Sequence, residues 1–131
     1  MKIACITDDG QTISAHFGRA PYYAVLTVEN GQVTARETRS KMGHSQFTAE
    51  AHVETPGARH GTDPASQSRH ASMAEAIKDC EVLICRSMGY GAYQSMAEYG
   101  IKPVVTDLEA IDAAVQAYLE GRLVDHPEKL H

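Results

Sequence analysis

The sequence predicts an α/β domain: a mixed sheet of about five strands with flanking helices, in the order βββαβαβα. Three observations predict it. Two β-rich runs meet at Asn30-Gly31, the pattern of an antiparallel hairpin. Short apolar runs at 82–85 and 103–106 alternate with helical patterns, which implies parallel crossovers. The chain has 131 residues, ordinary for a single domain over 1–131 and enough to bury about two-thirds of its unfolded surface. Such a chain needs neither a disulfide framework nor a metal to fold.

The elements follow in order. Residues 2–7 form a short apolar run ended by Asp8-Asp9-Gly10, which reads as a buried strand and a turn. Residues 22–29 and 32–38 are the two arms of the hairpin, joined by a turn that needs positive φ at Asn30 and Gly31. From 40 to 70 the chain is rich in Gly, Pro, Ser, Thr and His and reads as one long exposed loop. Ser72 followed by Glu75 predicts a capping box and a helix to about Lys78. Residues 82–85 are a second buried strand, followed by a glycine turn at 86–92 and a helix to about Tyr99, closed by Gly100. The 103–106 strand leads to Asp107, a candidate cap for a last helix with Leu108, Ile111, Val115 and Leu119 on its apolar stripe and Gly121 at its end. Residues 122–131 are polar and are expected to fray.

Charge excludes some functions. Twelve Lys and Arg against 17 Asp and Glu give −5 with no basic run, which argues against a nucleic-acid partner. No apolar stretch approaches the roughly 20 residues of a membrane span. Acid arrives at Asp8-Asp9, too early for a signal-peptide core, so a cytoplasmic location is expected. Three widely spaced cysteines read as reduced thiols.

In open α/β sheets ligands bind beyond the carboxyl ends of the strands. After the first strand lies Ser14-Ala15-His16-Phe17-Gly18-Arg19-Ala20, where an imidazole can meet a metal and Arg19 an anionic ligand. After the 82–85 strand, Met88-Gly89-Tyr90-Gly91-Ala92 places glycines at a helix N-terminus, where free N–H groups favour an anion. Cys5 and Cys85 lie near strand ends, where thiolates suit metal–sulfur species, although free Cys also packs as a small hydrophobe. His44, His52, His60 and His70 are eight, eight and ten residues apart, unlike zinc-finger spacing, yet one loop can gather them at a metal. Asp8, Asp9 and Asp107 are strand-end carboxylates able to hold Mg²⁺, or else turn and cap residues.

Two blocks resemble a known family. Thr7-Asp8-Asp9-Gly10 with Ile13 to Tyr23, and Met88-Gly89-Tyr90-Gly91-Ala92 with Gly100-Ile101-Lys102-Pro103-Val104-Val105-Thr106, are similar to the dinitrogenase iron–molybdenum cofactor biosynthesis family, the NifX/NafY type also found as the C-terminal domain of NifB. The resemblance covers nearly all the chain outside 40–70. It implies a ribonuclease H-like fold without nuclease activity, a non-catalytic carrier of iron–molybdenum cofactor, its iron–sulfur precursor or a related molybdenum–sulfur cluster. It implies His16 as an iron ligand, with Phe17, Gly18, Arg19, Met88, Gly89, Tyr90 and Gly91 around the cluster. The implied partners are cluster-synthesis proteins and nitrogenase-type acceptors. Two other readings stand beside it: a divalent-metal phosphodiesterase using Asp8, Asp9 and Asp107, and a sensory or scaffold domain that uses the same pocket for protein contact.

Overall fold

The structure, a computed structural model, describes residues 1–41 and 71–130. Its strands are β1 (Lys2–Thr7), β2 (Tyr22–Glu29), β3 (Gln32–Ser40), β4 (Val82–Cys85) and β5 (Lys102–Val105). Helix α1 is Tyr90–Glu98 and α2 is Ile111–Leu119. A helical segment covers 71–75, and a 3-10 turn covers Pro127–Lys129.

The five strands form one mixed sheet in the order β3-β2-β1-β4-β5. β1 pairs antiparallel with β2 and parallel with β4, and β4 pairs parallel with β5. The predicted hairpin is present: Asn30 and Gly31 take φ of 54° and 75°, the positive values its two-residue turn demands. β4 is buried along its length, and β1 after its first residue, as expected of strands covered on both faces. β3 is the polar edge, with only Arg39 partly covered.

Alternation along β3 shows what covers the faces. Arg36 and Arg39 are three residues apart, so they leave opposite faces of the sheet. Arg36 reaches Asp112 of α2 (2.8 Å), whereas Arg39 reaches Asp79 (2.7 and 2.9 Å) and the carbonyl of Ala76. The α2 helix therefore lies on one face and the 71–79 segment on the other. On that second face the Tyr23 hydroxyl, fully buried, donates to the Met73 carbonyl at 3.0 Å.

Several boundaries differ from expectation. Ser72 lies inside a helical segment that ends at 75, with turns at 76–79, so it is no N-cap. β3 runs on to Ser40, and Lys41 extends the ladder through a 2.9 Å bond from its N–H to the Pro21 carbonyl. The expected 40–70 loop thus fails at its first two positions, because backbone pairing continues past the β-forming residues. Residues 42–70, with His44, His52, His60 and His70, lie outside the described residues. Asp107 caps nothing: Ala110 holds the N-cap of α2, and Leu108 precedes the helix. The segment after Gly121 is docked, not frayed. Its Asp125 carboxylate accepts from the Val105 N–H (2.9 Å), the His126 N–H donates to the Val105 carbonyl (2.8 Å), and Leu130 bridges to Met88. Those bonds satisfy the outer edge of β5, a need that polarity of the tail does not reveal.

Candidate functional site

The carboxyl ends of β1 and β4 lie side by side because the two strands are parallel neighbours. Two loops start there, and one side chain joins them. The Ser87 hydroxyl, just beyond β4, donates to the Ala15 carbonyl at 2.8 Å, across 72 residues of sequence. The His-Phe-Gly-Arg string and the glycine turn therefore lie on adjoining loops.

The loop after β1 has two halves. In the first, the buried Thr7 hydroxyl donates to the Thr12 carbonyl (2.6 Å) and accepts from the Gly10 N–H (2.8 Å). Asp9 accepts from the N–H groups of Gln11 (2.9 Å) and Thr12 (2.8 Å) and from the Thr12 hydroxyl. Those bonds, the backbone N–H of Thr12 foremost, hold the Asp9 carboxyl down to about 2. The second half begins at Ser14, whose hydroxyl accepts from the His16 N–H at 3.1 Å. The His16 carbonyl accepts from Arg19 (3.1 Å) and Ala20 (3.2 Å), closing a tight turn. That turn leaves the side chains of His16 and Arg19 exposed and buries Phe17.

On the β4 side, α1 starts at Tyr90, inside the 86–92 stretch expected to be a glycine turn. Gly89 is its N-cap and Gly91 lies within its first turn. Among the described residues no side chain caps this helix, and the first-turn N–H groups of an α-helix have no partner within the helix itself. Tyr90 is 58% exposed, whereas Met88 is fully buried and packs as core. His16, Arg19 and Tyr90 thus present side chains, while Phe17 and Met88 anchor the backbone.

Lys41 is the residue sequence reading missed. It is only 3% exposed. Its ammonium donates to the Phe17 carbonyl and stands 5.0 Å from the centroid of the Phe17 ring. Burial pushes its pKa down to about 8, with the charge of Asp8 acting the other way. Its position inside a polar, glycine-rich stretch gave no sign of burial. Ser87 was equally silent, as one hydroxyl in a turn.

The thiols do not assemble. Cys5 faces Ile84 across the ladder, so Cys85, one residue on, lies on the opposite face of the sheet. Burial pushes Cys85 and Cys80 up to about 12 and Cys5 higher still, which keeps all three protonated. The carboxylates do not assemble either. Asp9 is committed to its turn, and Asp107 pairs with Lys129 and with His126 (3.1 Å). Lys129 beside it, first among its neighbours, holds the Asp107 carboxyl below its ordinary value. Among the described residues no group of three His, Cys, Asp or Glu side chains is placed to hold a metal ion.

A family model described as dinitrogenase iron-molybdenum cofactor matches residues 1–121. The chain belongs to that family. Membership ties it to a role related to iron–molybdenum cofactor biosynthesis. An uncharacterized protein of Methanocaldococcus jannaschii is 26% identical over 123 residues, covering 94% of this chain and 89% of that one. The fold is shared with the apo form of the orange protein from Desulfovibrio gigas, at a TM-score of 0.67 and 20% identity, covering 96% and 92% of the two chains. It is shared too with a candidate dinitrogenase from Methanocaldococcus jannaschii, at a TM-score of 0.64 and 14% identity, covering 97% and 95%. The His16 and Gly89 motifs within the two blocks lie on the loops that Ser87 joins.

Proposed function

We propose that the protein binds and hands on, without catalysing a reaction, an anionic metal–sulfur cluster: iron–molybdenum cofactor, its iron–sulfur precursor or a related molybdenum–sulfur cluster. The observation that carries this reading is the Ser87–Ala15 bond, which ties the turn bearing exposed His16 to the segment that leads into the uncapped helix α1. In it His16 is the iron ligand, Arg19 offsets negative charge, and N–H groups at Gly89–Gly91 face the sulfides. The residues fit such a cargo: neutral imidazole coordinates iron, and an open N-terminus favours an anion. The strand order β3-β2-β1-β4-β5 supports a ribonuclease H-like assignment of the fold. The phosphodiesterase reading has no such support, since Asp9 and Asp107 are already engaged within the protein. Cluster-synthesis proteins would be the donors and nitrogenase-type proteins the acceptors, in the cytoplasm. Among the described residues no helix is long and apolar enough to cross a membrane.

The test is anaerobic titration with isolated iron–molybdenum cofactor, read by visible absorbance and gel shift. His16→Ala is expected to weaken binding at least tenfold, about 1.4 kcal/mol. His16→Cys should recover part of it, because thiolate also suits iron, and His16→Gln should not. Arg19→Ala should lose less, with a loss that fades as salt rises. Equal affinity of wild type and folded His16→Ala removes His16 from the site.

A further inference from the structure

We propose that Lys41 is a positioning residue of the His16–Arg19 turn and the buried positive charge that makes this site select anions. The inference rests on the cluster-binding reading and adds to it the source of charge selectivity. The chain carries −5, so an anionic cargo meets an unfavourable overall field unless cations stand close to it. Arg19 is exposed, and its field is screened by salt. Lys41 is screened far less, because it is almost wholly enclosed.

Lysine is rarely buried to this degree without a partner that repays its desolvation. Among the described residues, the bonds to its ammonium come from one residue: the carbonyl and the ring face of Phe17. Phe17 lies between the proposed ligand His16 and the exposed Gly18. The turn is thus pinned twice, by N–H groups on the His16 carbonyl and by the ammonium on the next carbonyl. The backbone of Lys41 is itself fixed by its ladder bond to Pro21, so the charge has a rigid support. A Met at this position would fill much of the same space but leave the Phe17 carbonyl without its donor. The nearby carboxylate of Asp8 is exposed and only tempers the charge of Lys41.

The experiment compares the full-length wild type with Lys41→Met and Lys41→Arg, using isolated iron–molybdenum cofactor as the anionic probe under anaerobic conditions. Circular dichroism checks the fold, and amide resonances of residues 16–19 report the turn. Lys41→Met is expected to bind about tenfold more weakly at low salt, and the loss should persist between about 0.05 and 0.5 M salt, unlike that of Arg19→Ala. Lys41→Arg should regain most of the affinity, and the resonances of 16–19 should move in Lys41→Met. Equal binding by wild type and folded Lys41→Met overturns the role of Lys41 while leaving the cluster reading intact. Weak binding by a folded Lys41→Arg equal to that of Lys41→Met overturns the charge assignment. Failure of the wild type itself to bind overturns the cluster reading, and the selectivity falls with it. Should Lys41→Met not fold, Lys41→Gln is read in the same way; unfolding of both variants assigns Lys41 to structure alone.

Discussion

The two halves of the loop after β1 are built in opposite ways. From Thr7 to Thr12 the loop is braced by its own Thr7 and Asp9 side chains, and the Asp9 carboxylate is consumed in doing so. It is braced too by donors to the Gly10 and Gln11 carbonyls, from Arg36 and the Ile111 N–H. From Ser14 to Arg19 the turn closes on the Ser14 hydroxyl and the His16 carbonyl, and side chains from elsewhere pin it. Ser87 comes from β4's turn and Lys41 from the end of β3, while the side chains of His16 and Arg19 make no bonds among the described residues. The contrast separates residues that look alike in sequence. Asp9 and His16 are both polar loop residues beside a strand end, yet one is a structural brace and the other is available to a ligand.

The largest effect expected from breaking this contrast is in the braced half. Thr7→Val keeps shape but removes a fully buried hydroxyl, leaving the Thr12 carbonyl and the Gly10 N–H without their partner. Leaving buried polar groups unpaired costs about 1–3 kcal/mol, to be measured by urea unfolding. Asp9→Asn should come next, with a loss of several degrees in Tm, roughly what loss of a turn-forming group gives in a domain of this size. Its pH dependence has a definite sign. The folded carboxyl titrates near 2, below its ordinary 3.8, so its contribution is complete above about 4 and is lost as pH falls toward 2. The stability difference between wild type and Asp9→Asn should therefore close over that window. A difference that stays constant from pH 5 to about 2 would show that the carboxylate charge plays no part.

Much of this arrangement was legible in the residues. The Asn-Gly hairpin, the buried runs at β1 and β4 and the glycines closing both helices each follow from local chemistry, and each is present. The elements that went unread depend on distant partners. Lys41 looks like one more polar loop residue until Phe17 is seen beneath it. Asp107 looks like a helix cap until the C-terminal segment brings Lys129 to it. That segment reads as frayed because its hold on the sheet is the bare edge of β5. The site followed the same rule. Its two motifs were readable separately, but the hydroxyl that unites them bonds a backbone carbonyl, which no side-chain pattern records.

Ser87→Ala sharpens the comparison with a smaller effect. Its hydroxyl bond is at the surface, so the stability loss should be no more than about 1 kcal/mol. The loss of affinity for iron–molybdenum cofactor should be disproportionate, because positioning contributes to binding through preorganisation and not through contact. Calorimetric unfolding and anaerobic titration of the same preparation separate the two. A stability loss without an affinity loss would mean that the loops need not be joined for binding.

The smallest stability effect belongs to the proposed ligand. His16 is exposed, and its bonds among the described residues run through its backbone, which substitution retains. His16→Ala should therefore change unfolding free energy by less than about 0.5 kcal/mol, as surface substitutions away from caps and networks do. Arg19→Ala should behave alike. A residue that affects binding strongly and folding hardly at all is one whose polar groups are left open in the fold, as the second half of the loop requires. If urea unfolding instead shows His16→Ala to be as damaging as Thr7→Val, the imidazole is a brace like Asp9. The division of the loop into a braced half and a ligand-facing half then fails at its central residue.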